Sequence, residues 1–279
     1  MPLTRTGSTF TYLQSYLNSH TSAYQDSMEQ LSSGSKYNSV GDNPVAICKA
    51  EKLAVEIETS STADTNIELG EDLMSMAETS QEDIISNLQR IYDLCIQAAN
   101  GTYSANDKNE IIREIRARLD YIDSAADSTN FNDINLLDGS ASALKLQTGT
   151  DANTRITIGD ALIDVHTDIL NVDLDPSITG ENWTNQDIAN YIDDIGAAIS
   201  TITSASSKLG AYSNRLDTVS ETLFNLSTNL TAKKSGLVDA DAAEVSADLV
   251  KNQILQNASV SILVQMNGMQ SLALSLFGD

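Results

Sequence analysis

The 279 residues are enough for one or two domains with a real core, and they carry 16 Lys+Arg against 39 Asp+Glu, a formal net charge of −23. That balance argues against nucleic acid, whose affinity comes largely from Lys and Arg neutralising phosphates, and against an anionic membrane surface. No apolar run is long enough for a transmembrane helix and the N-terminus lacks a signal-peptide core, which by itself predicts a cytoplasmic protein.

In chain order, residues 1–33 show heptad spacing at Phe10, Leu13, Leu17, Tyr24, Met28 and Leu31, with His20 filling one polar seam position. The stretch is rich in Ser, Thr, Asn and Gln and has little charge, so a helix here needs a partner. Ser32-Ser33-Gly34-Ser35 and Asn38-Ser39-Val40-Gly41 mark a non-helical spoke. Asp42-Asn43-Pro44 then caps a long helix, which Asn100-Gly101 stops. Its seam runs Ala46, Ala50, Leu53, Ile57, Ser60, Asp64, Ile67 and, after a skip at Gly70, Met74, Ala77, Gln81, Ile84, Leu88, Ile91, Cys95 and Ala98. Such a rod measures roughly 85 Å at the α-helical rise. A compact globule of this chain length spans roughly 50 Å, so the sequence predicts an elongated protein. Cys48 and Cys95 lie about 70 Å apart along this one helix; they cannot pair within it and read as reduced, small apolar fillers.

Ser104 and Asp107 form a capping-box pattern ahead of a helix with Ile112, Ile115, Leu119, Ile122 and Ala126 on one face. Glu114 and Arg118 are paired on the other face, and the short connection predicts antiparallel packing against the long helix. Thr129 to Gly139 is turn-rich. Leu144–Gln147 and Arg155–Ile158 alternate apolar and polar residues, predicting a β-hairpin with a longer loop. Residues 160–183 read as acidic and irregular, with an extended piece at Leu162–Val165.

Thr184 and Asp187 cap a second long helix with Ile188, Ile192, Ile195, Ile199, Ile202, Ser206 and Leu209. After a skip beside Gly210, it continues with Tyr212, Leu216, Val219, Leu223, Leu226 and Leu230. Lys233-Lys234-Ser235-Gly236 is its predicted stop. The last helix has Val245, Leu249, Ile254, Ala258, Ile262, Met266, Met269, Leu272 and Leu276 on its stripe, and Asn252 to Gly278 carries no formal charge. Both chain ends are thus apolar-striped and almost uncharged, as a subunit needs if its termini form a buried tube.

The predicted architecture is mainly α: an antiparallel long-helix bundle or coiled coil with a small β-hairpin and paired terminal helices. A terminal coiled-coil domain comprises 1–42 with 236–279. A rod domain comprises 43–235, with the hairpin at about 143–159 and an irregular insert at 160–184. Ile84, Leu88, Ile91, Leu216, Leu223 and Leu230 are expected to pack the rod. No catalytic, metal or cofactor constellation occurs. His20 and His166 lack metal-ligand spacing, and Asp173/Asp175 and Asp239/Asp241 have no EF-hand loop and read as solvated carboxylates or a helix cap. Asn100-Gly101-Thr102 and Asn182-Trp183-Thr184 match the N-glycosylation pattern, a weak signal.

Several stretches, in order, resemble bacterial flagellin. They are Leu31-Ser32-Ser33-Gly34 with Asn38-Ser39 and Gly41-Asp42-Asn43-Pro44; Gln89-Arg90-Ile91-Tyr92 running to Asn100-Gly101-Thr102; and Thr129-Asn130-Phe131-Asn132 with Leu136-Leu137-Asp138-Gly139. Near the C-terminus they are Ser207-Lys208-Leu209-Gly210-Ala211 with Asn214-Arg215-Leu216, and Asp239-Ala240-Asp241 with Gln253-Ile254-Leu255-Gln256-Asn257-Ala258.

The resemblance implies a non-enzymatic subunit of the flagellar filament that polymerises with itself. Its terminal helices would form the inner coiled coil, through Phe10, Leu13, Leu17, Tyr24, Leu31, Ile254, Ile262, Met266, Leu272 and Leu276. It also implies export without a cleaved signal, which reverses the cytoplasmic expectation to extracellular. Expected partners are a C-terminal export chaperone and the hook-associated junction and cap proteins. Arg90, Leu94 and Glu114 match family positions bound by an innate Toll-like receptor, although Tyr92 stands where the family has an arginine and Cys95 where it has an alanine. Simple subunit packing is the alternative role for these three. The proline of the spoke is closer to a hook–filament junction protein, an alternative of the same architecture; an acidic soluble enzyme or metal-binding protein is the reading from another class.

Overall fold

A computed structural model describes the backbone of residues 3–151 and 153–277 and the side chains of 10–151 and 153–269. The elements are α1 (Leu3–Ser33), α2 (Pro44–Ala99), α3 (Ala105–Ser128), β1 (Asn130–Phe131), β2 (Ile134–Asn135), β3 (Lys145–Gln147), β4 (Arg155–Thr157), α4 (Asn185–Val238) and α5 (Ala242–Phe277). The chain forms two compact units, Glu56–Thr228 and the terminal unit Met1–Val55 with Asn229–Asp279. The division falls inside α2 and α4 rather than at the spoke and at Gly236, where the composition changes.

Within Glu56–Thr228, the seam of α2 is buried on the positions that its spacing picks out: Ile67, Ala77, Gln81, Ile84, Leu88, Ile91, Cys95 and Ala98. Leu216 and Leu223 of α4 are buried with them. Cross-helix bonds give the directions. Arg90 Nε donates to Glu114 and Arg118 Nη1 to Asn87 Oδ1, while Thr129 Oγ1 bonds Ser80, so α3 runs antiparallel to α2. Ser206 Oγ donates to Gln81 Oε1 at 2.6 Å and Ser220 Oγ to Asp64 Oδ1 at 2.6 Å, so α4 does the same. Gln81 is fully buried, and its amide also donates to the Ala161 carbonyl. A polar residue is tolerated in the seam because both ends of its amide are satisfied. The caps form as the sequence predicts: Ser104 and Asp107 close a capping box, as do Thr184 and Asp187, and Asn43 Oδ1 accepts from the Ala46 N–H.

Strands β3 and β4 pair antiparallel, with Leu146 opposite Ile156. At the skip in α2, the side chain of Leu146 sits where a Gly70 Cβ would be. Gly70 thus makes room for the hairpin, whereas Gly210 has open space. A second hairpin, β1–β2, lies in the turn-rich 129–139. Asn132 and Asp133 both have positive φ there, the mirror-image turn that suits strand twist.

The insert is not a solvated loop. Leu162, Val165, Leu170, Val172, Leu174 and Trp183 join the core, and no strand forms over Leu162–Val165. Trp183 meets Tyr191 edge-on, and the Tyr191 hydroxyl donates to the Val172 carbonyl at 2.7 Å. Arg116 Nη2 donates to the carbonyls of Asp175, Pro176 and Ile178. Thr167 binds Asp123 through its N–H and its hydroxyl. His166, expected in solvent, is half-buried, with Nδ1 2.7 Å from Asp164 Oδ1 and Nε2 3.2 Å from Asp127 Oδ1. Its pKa is raised above 6.5, chiefly by the hydrogen bond to Asp164 and then by Asp127, against a smaller opposing effect of burial. Close backbone approach fixes the insert at two glycines: a Cβ on Gly159 would collide with the Ser142 carbonyl, and one on Gly180 with the Ala105 carbonyl.

In the terminal unit, Gly34 ends α1 in the left-handed conformation at φ +70°. The spoke then pairs with the α4–α5 connection. Lys36 N donates to the Val238 carbonyl at 2.7 Å and Ala240 N to the Gly34 carbonyl at 2.9 Å, around an antiparallel Ser35–Asp239 bridge. Helix α4 accordingly runs through Gly236 to Val238 instead of stopping at the glycine, because this clasp takes up the backbone groups beyond it. Asp241 Oδ1 accepts from Ala243 N, the helix-cap role for this aspartate.

Gly180→Ala and Gly159→Ala should each cost about 1–3 kcal/mol through overpacking against backbone. Gly210→Ala should be neutral or stabilising by up to about 1 kcal/mol. Urea unfolding of the three variants checks the contrast. The stability supplied by His166 is complete below pH 6.5, its unfolded value, and is lost as pH rises through the raised folded value. The difference in urea midpoint between the wild type and His166→Gln should therefore shrink between pH 6 and 9; a constant difference would contradict a stabilising role for the His166–Asp164 and His166–Asp127 bonds.

Candidate functional site

Side chains capable of chemistry are scattered. Among the described residues, no group of three or more His, Cys, Asp or Glu is placed to share a metal ion. His20 stacks on Tyr16 with centroids 6.4 Å apart. Cys48 is exposed, whereas Cys95 is buried and its thiol is pushed up to about 12 by desolvation. Glu71 has a raised carboxyl pKa, from burial first and then from Asp217, Asp64 and Glu68. An open groove of about 480 Å³ is lined by Ser142, Asp160, Asp164, Thr201 and apolar residues, with no histidine, cysteine or cation. A nucleophile beside a base is what such a groove would need for hydrolysis. No helix among the described residues is long and apolar enough to cross a membrane.

The feature with functional content is the α1–α5 pair. The clasp at Ser35–Asp239 sets the two helices off antiparallel, and Gln256 Nε2 donates to Thr21 Oγ1 at 3.1 Å further along. On α1 the buried or half-buried positions are Phe10, Leu13, Leu17, His20, Thr21, Ala23, Tyr24, Ser27 and Gln30. On α5 they are Ser246 and the series Val245, Leu249, Asn252, Gln256, Ser259, Leu263 and Met266, an unbroken alternation of four and three. This is a correction to the stripe expected from sequence. Ile254 is 62% exposed, and Ile262 and Leu31 are also exposed, so all three lie outside the seam. Apolar residues pointed to Ile254 and Ile262; the polar Asn252, Gln256 and Ser259 face inward instead. Leu272 and Leu276 lie outside the residues whose side chains are described. The regular spacing of residues 252, 256, 259 and 263 is the signal that would have revealed the seam, had neutral polar residues been counted as seam-compatible.

Because the seam is narrow, much apolar surface is left uncovered. Tyr12 is 68% and Met269 72% exposed, and Tyr16, Val260 and Val264 are exposed with them. Monomeric proteins rarely leave apolar patches of this extent to water. In the other unit, Ile84, Leu88 and Ile91 have no exposure, and Leu216 and Leu223 are buried; Leu230 is buried in the terminal unit. Of the three positions matched to receptor contacts, Leu94 is 2% exposed and inside the core. Arg90 is exposed and Glu114 half-buried, and the two are bonded at 3.3 Å, with Arg118 also on Glu114. The Asn182 side chain of the second glycosylation pattern is held by Thr179 N and the Ser177 carbonyl.

The N-terminal helical region of bacterial flagellin matches residues 8–142, and its C-terminal helical region matches residues 192–277. A flagellin of Bacillus subtilis is 33% identical over 280 aligned residues, covering 90% of this chain and 91% of that one. A flagellar filament 30.7 kDa core protein of Treponema maltophilum is 30% identical over 258 residues, covering 87% and 88%. A putative flagellar hook-associated protein of Vibrio parahaemolyticus has the same fold over 71% of this chain and all of its own, with a TM-score of 0.58 and 14% identity. With both helical regions matched and relatives aligned over nearly their full length, this chain belongs to the bacterial flagellin family.

Proposed function

We propose that this protein is a structural subunit, without catalytic activity, that polymerises into the extracellular bacterial flagellar filament and so serves swimming. The observation that carries the proposal is the uncovered apolar surface flanking the α1–α5 seam, which one chain cannot bury and neighbouring copies can. Terminal helices poor in charge order at a cost, which burial shared with neighbours offsets; on this reading they are disordered in the free subunit and ordered in the polymer. The family resemblance supports export of the unfolded chain without a cleaved signal, a chaperone at the C-terminal helix, and contact with hook-associated junction and cap proteins. For an innate Toll-like receptor, Arg90 and Glu114 supply a polar surface, but Leu94 lacks accessibility in this structure. A junction-protein role rests on Pro44 in the spoke, and abundance separates it from the filament: a filament subunit dominates sheared surface material and a junction protein barely appears in it.

Purified full-length protein seeded with filament fragments should form long, sedimentable filaments, and a version cut to residues 43–235 should form none. A full chain that stays monomeric after seeding would overturn the filament reading. Ile262→Lys, on the exposed face of α5, should abolish polymerisation while changing subunit stability by no more than about 0.5 kcal/mol; normal filaments from this variant would place the subunit contact elsewhere.

A further inference from the structure

Helix α5 can turn more than one apolar face toward a partner. Ile254, Ala258, Ile262 and Met266 make one stripe, whereas the stripe in the seam has Asn252, Gln256 and Ser259 at its middle. Hydrophobic burial alone favours the first. The structure has the second, with Ile254 and Ile262 turned outward. What distinguishes the second is a bond across the seam: Gln256 Nε2 donates to Thr21 Oγ1 at 3.1 Å, while the Thr21 hydroxyl donates to the Leu17 carbonyl at 2.8 Å. The hydroxyl is thus oriented by its own helix, leaving a lone pair for the amide.

We propose that the Thr21–Gln256 rung determines the pairing of the terminal helices, selecting the face of α5 that meets α1 and fixing the register between them. A one-heptad slip brings Thr21 level with Leu249 or Leu263 and removes Gln256 from its partner. Either slip breaks the Thr21–Gln256 bond: one sets the half-buried amide against Met28 and the other against Gln14, and in both Thr21 meets a leucine instead; a single polar seam position is known to set register in this way at some cost in stability. Turning α5 to its more apolar face has the same effect and also hides Ile254 and Ile262. The rung therefore decides which apolar residues are displayed to other copies. The pairing concerns one chain; its consequence for assembly rests on the filament reading above.

The test is a spin-label distance between exposed positions beside the rung, Ser22→Cys and Asn257→Cys, in a Cys48→Ser full-length chain. It is measured in the free protein and in seeded polymer containing a small labelled fraction. The chain with its rung intact should show one narrow distance in at least one of the two samples. Gln256→Leu and Thr21→Val should each add a second population there, displaced by roughly 10 Å along the axis for a heptad slip. Thr21→Ser, which keeps the hydroxyl, should retain the single distance. The proposal is overturned if both apolar variants keep the original distance, if Thr21→Ser behaves like Thr21→Val, or if the intact chain has no single distance in either sample. Sedimentation of the same samples reports polymer formation separately: an intact rung without polymer sinks the filament reading alone.

Discussion

The terminal unit is governed by a mismatch between the apolar surface on its helices and the surface that one partner helix can cover. Helix α5 has apolar side chains around its circumference, and α1 covers only the stripe from Val245 to Met266. At about 25 cal/mol per Å² of buried apolar area, the surface left over is a large unrealised stabilisation. Isolated long helices are marginal in water because most helical stability comes from tertiary burial. A subunit built this way gains most by supplying its missing contacts from other copies.

The other unit meets the opposite condition. The seams of α2 and α4 face each other and α3, and the insert lies over them with Trp183, Leu170 and Val172 in the core. Its polar seam residues are satisfied internally: Gln81 by Ala161 and Ser206, and Asp64 by Ser220. Such bonds make burial of a polar group tolerable, and an amide left unpaired there would cost about 1–3 kcal/mol. This unit has the core of a protein that folds by itself. The contrast with the terminal unit matches a division of labour in which one part folds and the other assembles.

Much of this was legible in the residues. The α2 seam could be read almost position by position because its apolar residues keep strict alternation, and the caps at Asn43, Ser104 and Thr184 stood where short polar side chains precede helices. The insert was not legible: its apolar residues follow no period, since each is placed by a turn or by a bond such as Arg116 to three carbonyls. Nor was the clasp, because Ser35–Asp239 pairing joins segments distant in sequence and rests mainly on backbone groups. The α1–α5 seam was half legible. Chargeless, apolar ends pointed to the two helices that pair, but ranking α5 positions by hydrophobicity selected Ile254 and Ile262 as seam residues, and both are exposed.

The seam between α1 and α5 admits neutral polar groups but no charge. The chain has a net charge of −23, yet α5 has no formal charge from Asn252 onward through Leu276. Burying an ion in an assembly contact is costly unless it is paired and hydrogen-bonded, so a stretch destined for burial by neighbours must shed charge. It need not shed hydrogen-bonding groups. Asn252, Gln256 and Ser259 are neutral, and Ser259 Oγ satisfies itself on the Leu255 carbonyl within its own helix while Gln256 reaches Thr21. Neutral amides and hydroxyls give direction to a pairing that apolar contact alone leaves degenerate. An uncharged helix with polar residues in its seam and apolar residues outside is therefore what a segment needs when it must both pair specifically within its chain and bury its outer face against other copies.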